Sequence, residues 1–122
     1  MAWPADEQRI RGGYADLWIA EGLLVYLTTD QAAALIGEAR ALSSPNSRLA
    51  LDIVSHGYLT HSYTTYLRTV LARHGLALRF GVDDPVAWLR TFGWTATATP
   101  AGSKDASHGR LPELAQMGMP PV

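Results

Sequence analysis

Four apolar residues in a row, Leu17-Trp18-Ile19-Ala20, run without polar alternation straight into Glu21-Gly22. A strand with one wet face alternates, whereas an uninterrupted apolar run suits a parallel sheet covered on both faces. The run is therefore expected to be a central strand of an α/β fold. Parallel neighbours need a crossover, and the next residues offer one. Thr28 stands three residues before Gln31, the spacing of a capping box, and Ala32, Leu35, Ile36, Ala39 and Leu42 then mark one helical face. Ser43-Ser44-Pro45-Asn46 stops that helix, and residues 48–54 read as a second strand, apolar on both faces except for Asp52. Strand, helix and strand in this order predict one right-handed parallel βαβ unit.

Residues 63–74 predict a second helix, with Tyr66, Leu67, Val70 and Leu71 at helical spacing and Gly75 at a left-handed C-terminal cap. A third helix starts at Asp84-Pro85, where Asp84 suits the N-cap and Pro85 the first turn. Its inward positions are Val86, Leu89 and Phe92, and Gly93 closes it. Residues 94–99 then read as a strand, with Thr95, Thr97 and Thr99 on one side and Trp94, Ala96 and Ala98 on the other, a pattern that fits a sheet edge. Residues 1–15 read as a short helix or loop closed by Gly12-Gly13. Residues 101–122 offer few core side chains, so a poorly structured tail is expected after a domain spanning 1–100.

Composition narrows the function classes. A hydrophobic share of 48% with four Trp and five Tyr argues for a packed globule. Ten basic residues against eleven acidic ones, scattered along the chain, provide no footprint for nucleic acid. The chain has no Cys, which removes disulfides, thiolate nucleophiles and cysteine-based zinc sites. The longest apolar stretch, 17–27, is interrupted by Glu21 and falls short of the roughly 20 residues of a membrane span. With no basic start, apolar run and small-residue cleavage site at the N-terminus, a cytoplasmic protein without membrane contact is expected.

The decapeptide Trp18-Ile19-Ala20-Glu21-Gly22-Leu23-Leu24-Val25-Tyr26-Leu27 is similar to the fourth-strand signature of the leucine carboxyl methyltransferase-like family, in particular its actinobacterial branch. The similarity continues through Ala41-Leu42-Ser43, Ser47-Arg48-Leu49-Ala50, Phe80-Gly81-Val82-Asp83-Asp84-Pro85 and Gly93-Trp94, and reaches back to Trp3-Pro4. This family comprises class I S-adenosylmethionine-dependent methyltransferases. The resemblance implies the C-terminal half of a doubly wound, Rossmann-like sheet, mostly parallel with an antiparallel edge strand. The family's opening strands, its glycine-containing turn and its ribose-holding acidic residue have no counterpart between Met1 and Asp16. Residues 1–100 then correspond to a partial methyltransferase domain.

Glu21 is the first candidate site residue. It follows an apolar strand directly, which places it at the carboxyl edge of a parallel sheet, where ligands of such folds sit. A carboxylate suits S-adenosylmethionine, whose sulfonium and amino groups are cationic, and the resemblance implies that this glutamate contacts that cofactor. The alternative is a glutamate bonded to backbone N–H groups of its own turn. Tyr26 belongs to the substrate side by resemblance, whereas by spacing alone a ring between Val25 and Leu27 is more often packed in the core. Asp52, within or near the close of the second strand, could line the same cleft, and sheet-end polarity or a helix cap explains it equally well. His56 and His61 lie five apart in a polar loop without the spacing of a metal site, so no metal is expected. No GxSxG elbow supports a nucleophilic serine, and the single glycine of Arg79-Phe80-Gly81-Val82 makes a poor phosphate cradle.

The expected activity is methyl transfer from S-adenosylmethionine to an oxygen of a small-molecule or carboxylate acceptor, without a catalytic residue identified on this chain. The rival expectation is a non-catalytic remnant. Its unpaired strand edge would join a second copy of the chain, as a homo-oligomer, or a complementing N-terminal half. A nicotinamide-binding half-domain fits less well, since GxGxxG is missing.

Overall fold

The computed structural model describes residues 15–101, 103 and 105. The turn expected around Gly12-Gly13 and nearly all of the tail expected over 101–122 lie outside the described residues. Strands β1 (Leu17–Ala20) and β2 (Arg48–Leu51) pair in parallel, with Leu17 opposite Arg48 and Ala20 opposite Leu51. Helix α1 (Thr29–Leu42) makes the connection, giving the βαβ unit that the sequence predicts. β1 coincides with the expected run. β2 stops short of residue 54 for a geometric reason. β1 ends at Ala20, Gly22 turns the chain away at φ +60°, and residues beyond Asp52 have no strand left on that side to pair with.

The start of α1 carries the capping box read from the sequence. Thr28 Oγ1 accepts the Gln31 N–H at 3.2 Å, and Gln31 Oε1 accepts the Thr28 N–H at 3.0 Å. Replacing Thr28 with alanine removes an acceptor for one of the orphan N–H groups of the first turn. The expected loss of stability is about 1 kcal/mol. Urea unfolding measures it, and a midpoint identical to that of the unchanged chain would refute this account of the helix start.

The remaining helices are short. Helix α2 (His56–Thr60) is followed by a 3-10 turn over Ser62–Thr64 and by α3 (Thr65–Arg73). The sequence reading treated residues 56–61 as a loop. The structure corrects this, since Ser55 Oγ accepts the Tyr58 N–H at 3.3 Å and caps one helical turn. α3 ends as expected at Gly75, where φ is +73°. There Leu76 N–H returns to Leu71 O at 3.0 Å and Gly75 N–H to Ala72 O at 3.1 Å, the paired bonds of a Schellman cap. Helix α4 (Pro85–Arg90) is capped by Asp84, whose Oδ1 accepts the Ala87 N–H at 3.0 Å, and Gly93 follows it at φ +86°.

The core joins α1 to the segments that follow α3. Leu24, Ala32, Ile36, Ala39, Phe80, Leu89 and Trp94 are buried, and Trp18, Ala20, Leu49 and Leu51 pack against them from one face of the sheet. Phe80, Trp88 and Phe92 form an aromatic chain with successive ring centroids 5.0 Å apart. Trp94 Nε1 donates to Ile36 O at 3.2 Å, satisfying a buried N–H that would otherwise cost stability. Trp18 Nε1 donates to Ser43 Oγ at 2.7 Å, which pins β1 to the end of α1.

Two expectations about strands are corrected. β1 was expected to be covered on both faces. Among the described residues it is covered on one, and Leu17 and Ile19 are each 63% exposed on the other. Residues 94–99 were expected to be an edge strand, antiparallel by resemblance. Trp94 is buried and Ala96 half-buried while Thr95 and Thr97 are exposed, so the alternation holds over 94–97 and lapses at the exposed Ala98, but no described strand lies alongside and no ladder forms. Alternation reports which side chains meet the core, and it carries no information about a neighbour for the backbone.

Candidate active site

Because β1 and β2 run in parallel, their carboxyl ends share one rim, where Ala20 stands opposite Leu51. The next residue of each chain segment is acidic, Glu21 after β1 and Asp52 after β2. Glu21 is exposed at this rim and has no hydrogen bond or ion pair with another described residue. The sequence left open a Glu21 carboxylate bonded to its own turn. In the structure that bonding falls to Asp52, whose Oδ1 and Oδ2 both lie 3.0 Å from the Gly22 N–H that they accept. One carboxylate therefore holds the turn and the other stays free.

Tyr26 ends a 3-10 turn, Leu24–Tyr26, that begins two residues after Gly22. The turn is anchored by Leu24, which is fully buried, and by Val25 O, which accepts the N–H groups of Arg79 at 2.6 Å and Phe80 at 3.1 Å. Tyr26 itself is 37% exposed, so the core position in this turn belongs to Leu24. Glu21 and Tyr26 thus flank a short bend and turn that leave the carboxyl end of β1.

On the β2 side of the rim the chain runs through Val54 and Ser55 into α2. Val82 N–H donates to Val54 O at 2.8 Å, which brings the loop before α4 alongside. Asp83 closes the contact, its Oδ1 accepting the His56 N–H at 2.9 Å and its Oδ2 lying 3.4 Å from His56 Nδ1. The backbone N–H of His56, with a smaller contribution from the imidazole, holds the Asp83 carboxyl below its ordinary value of 3.8. A lowered carboxyl favours the fold fully above that ordinary value, and the contribution fades as pH falls through the folded-state value. His61 is turned to a local task, its Nδ1 accepting the Tyr63 N–H at 3.0 Å. Among the described residues no three His, Asp or Glu side chains gather as a metal site.

The sequence placed Glu21 just after a strand, as the structure does, but missed how the rim is tied together. Asp52, read as a cleft residue, a polar sheet end or a helix cap, takes its hydrogen bonds at the sheet end, where it braces the turn after β1. The only sequence signal for this is a glycine two places beyond the strand end, facing an acid at the end of the next strand. The His56–Asp83 pair had no signal, because its partners are 27 residues apart.

Similarity to known proteins agrees with this α/β arrangement. Over 98 residues, 77% of this chain, it is 35% identical to a protein of Streptomyces avermitilis named "putative S-adenosyl-L-methionine-dependent methyltransferase". A protein of the same name from Mycolicibacterium paratuberculosis is 35% identical over 111 residues, 81% of this chain. One from Frankia alni is 34% identical over 98 residues, again 77% of this chain. Over the matched residues the chain is thus related to proteins named as methyltransferases. It spans about a third of the length of the curated relatives it matches, 32%, 35% and 32% of these three. No family model matches the chain, and no solved structure matches it. Among the described residues no helix is long and apolar enough to cross a membrane.

Proposed function

We propose that this chain forms part of a doubly wound methyltransferase sheet of the leucine carboxyl methyltransferase-like group, and that its acidic rim faces S-adenosylmethionine. The observation that carries the reading is the unengaged Glu21 carboxylate at the carboxyl end of a parallel strand. The carboxyl ends of such strands are where doubly wound sheets bind ligands. The donor set fits the cofactor in charge, since a free carboxylate attracts an ammonium or sulfonium group. Bound there, the cofactor supplies an electrophilic methyl group. Glu21 binds and orients its cationic part, and Tyr26 presents a half-exposed ring and hydroxyl toward an oxygen acceptor, a small molecule or a carboxylate. The parent reaction is a displacement, so holding the reactants in line is the main demand on the protein. Residues 1–100 make up the domain in this reading, and the setting is the cytoplasm.

The 122 residues supply one side of such a crevice, so binding by this chain is expected to be weaker than low micromolar. Isothermal titration with S-adenosylmethionine reads the affinity. Amide shifts at millimolar cofactor read the place, and they are expected at Glu21, Gly22 and Tyr26 and are expected to vanish with Glu21→Gln. Shifts that stay away from this rim, or that survive the substitution unchanged, would remove Glu21 from the site.

A second reading has its own observation. Leu17 and Ile19 expose one face of the sheet, and Tyr66 on α3 is 80% exposed, which is the kind of surface that partners cover. On this reading the chain is a non-catalytic module that pairs with a second copy or with a complementing chain. Sedimentation across a concentration series separates the readings, because a monomer at every concentration rules out self-pairing.

A further inference from the structure

We infer that Asp52 is a positioning residue that sets where Glu21 is presented. The inference rests on the reading of Glu21 as the cofactor-facing carboxylate. Its basis is that Asp52 holds both neighbours of that glutamate. The Asp52 N–H donates to Ala20 O at 3.4 Å, extending the ladder one step past the paired strands. The Asp52 carboxylate accepts the Gly22 N–H through both oxygens at 3.0 Å. Residues 20 and 22 are thereby tied to one residue of the adjacent strand, and the peptide units on either side of Glu21 lose their freedom to swing.

The geometry of Gly22 shows why a clasp is needed. Its φ is +60°, and a Cβ added there would meet nothing within 4 Å. The left-handed turn is therefore selected by backbone conformation and a hydrogen bond, with no packing to enforce it. Such a turn would open readily in solvent without a charged acceptor on its N–H. Splitting the tasks also frees Glu21. A carboxylate committed to its own turn could not neutralise a cation, whereas an acid supplied from β2 holds the turn and leaves Glu21 available.

The test uses the full chain and compares Asp52→Ala and Asp52→Asn with the unchanged protein. Solvent exchange of the Gly22 amide is measured by NMR without cofactor, and amide shifts at Glu21 and Gly22 are measured with millimolar S-adenosylmethionine. In Asp52→Ala the Gly22 amide is expected to exchange roughly five- to tenfold faster while amides of α1 keep their rates. Asp52→Asn keeps one acceptor and is expected to fall between, restoring part of the cofactor-induced shift that Asp52→Ala loses. An unchanged Gly22 exchange rate in Asp52→Ala overturns the clasp. If Asp52→Ala does not fold, the comparison of Asp52→Asn with the unchanged chain decides, and equal rates overturn it. A Gly22 effect in a protein whose rim shows no response to cofactor supports the clasp while refuting the role of Glu21, so the two failures are separable.

Discussion

Truncating Leu24 to alanine is expected to lower the unfolding free energy by about 3 kcal/mol, within the roughly 2–5 kcal/mol of buried leucine truncations. Leu24 is fully buried and joins α1 to Phe80, Leu89 and Trp94 in one cluster. Its loss removes apolar contacts and leaves a void that a close-packed surrounding fills only in part. The contrast with its neighbours makes the test sharp. Leu23 is 41% exposed and Leu17 63% exposed, so alanine at either is expected to cost well under half as much. Urea unfolding at constant m-value measures the ranking. A second consequence is local. Leu24 fixes the 3-10 turn ending at Tyr26, so amide shifts at Tyr26 and Arg79 are expected to move most. Equal costs at positions 17, 23 and 24 would contradict the described core.

That ranking also marks where sequence reading stops. In the stretch 17–27, Leu17, Ile19, Leu23 and Leu24 are chemically alike, and the sequence reads 17–20 as a strand covered on both faces. Those four residues do form that strand, because nothing local competes with extension. The remainder does not, because Gly22 breaks direction and Leu24–Tyr26 wind into a 3-10 turn. The helix starts were readable for a different reason. Thr28 with Gln31, and Asp84 with Pro85, act over three residues, so the hydrogen bonds that satisfy them are local. The same holds for Gly75 and Gly93, whose left-handed conformations close their helices within the helix itself.

Contacts made across the chain had no such signal. Asp52 to Gly22 spans 30 residues and Trp94 to Ile36 spans 58, and each depends on the crossover having first brought the segments together. The place of Glu21 at a strand end was thus legible, and its support was not. Glu21 follows a strand, and strand ends are predictable, but the residue that holds its turn comes from the next strand. The threonines of residues 94–99 teach the same lesson in reverse. The alternation is real in burial over 94–97, yet a strand is defined by a partner, and none of the described strands lies alongside.

The lone glycine of the Arg79–Asp84 loop carries the other large expectation, since Gly81→Ala should destabilise the chain by about 1–3 kcal/mol, the usual cost of overpacking. A Cβ at residue 81 would stand 2.8 Å from Ser55 O, 3.1 Å from Ser55 C and 3.1 Å from Leu59 Cδ1. The nearest of these is backbone, and it cannot rotate away as a side-chain tip would. Relief requires the loop and the segment after β2 to separate. That movement strains the Val82 N–H to Val54 O bond of 2.8 Å and draws Asp83 away from His56. The cost therefore spreads from one methyl group to the contact joining the loop to the β2 side of the rim. Gly37 supplies the opposite sign. It lies within α1, and a Cβ there would meet only Phe92 Cδ1, at an ordinary 3.7 Å. Gly37→Ala is expected to stabilise by roughly 0.4–1 kcal/mol through helix propensity and a less flexible unfolded chain. Urea midpoints of the two variants should then move in opposite directions, with the His56 amide shifted in Gly81→Ala alone. A Gly81→Ala midpoint at or above that of the unchanged chain would mean that the loop does not pass this close to Ser55.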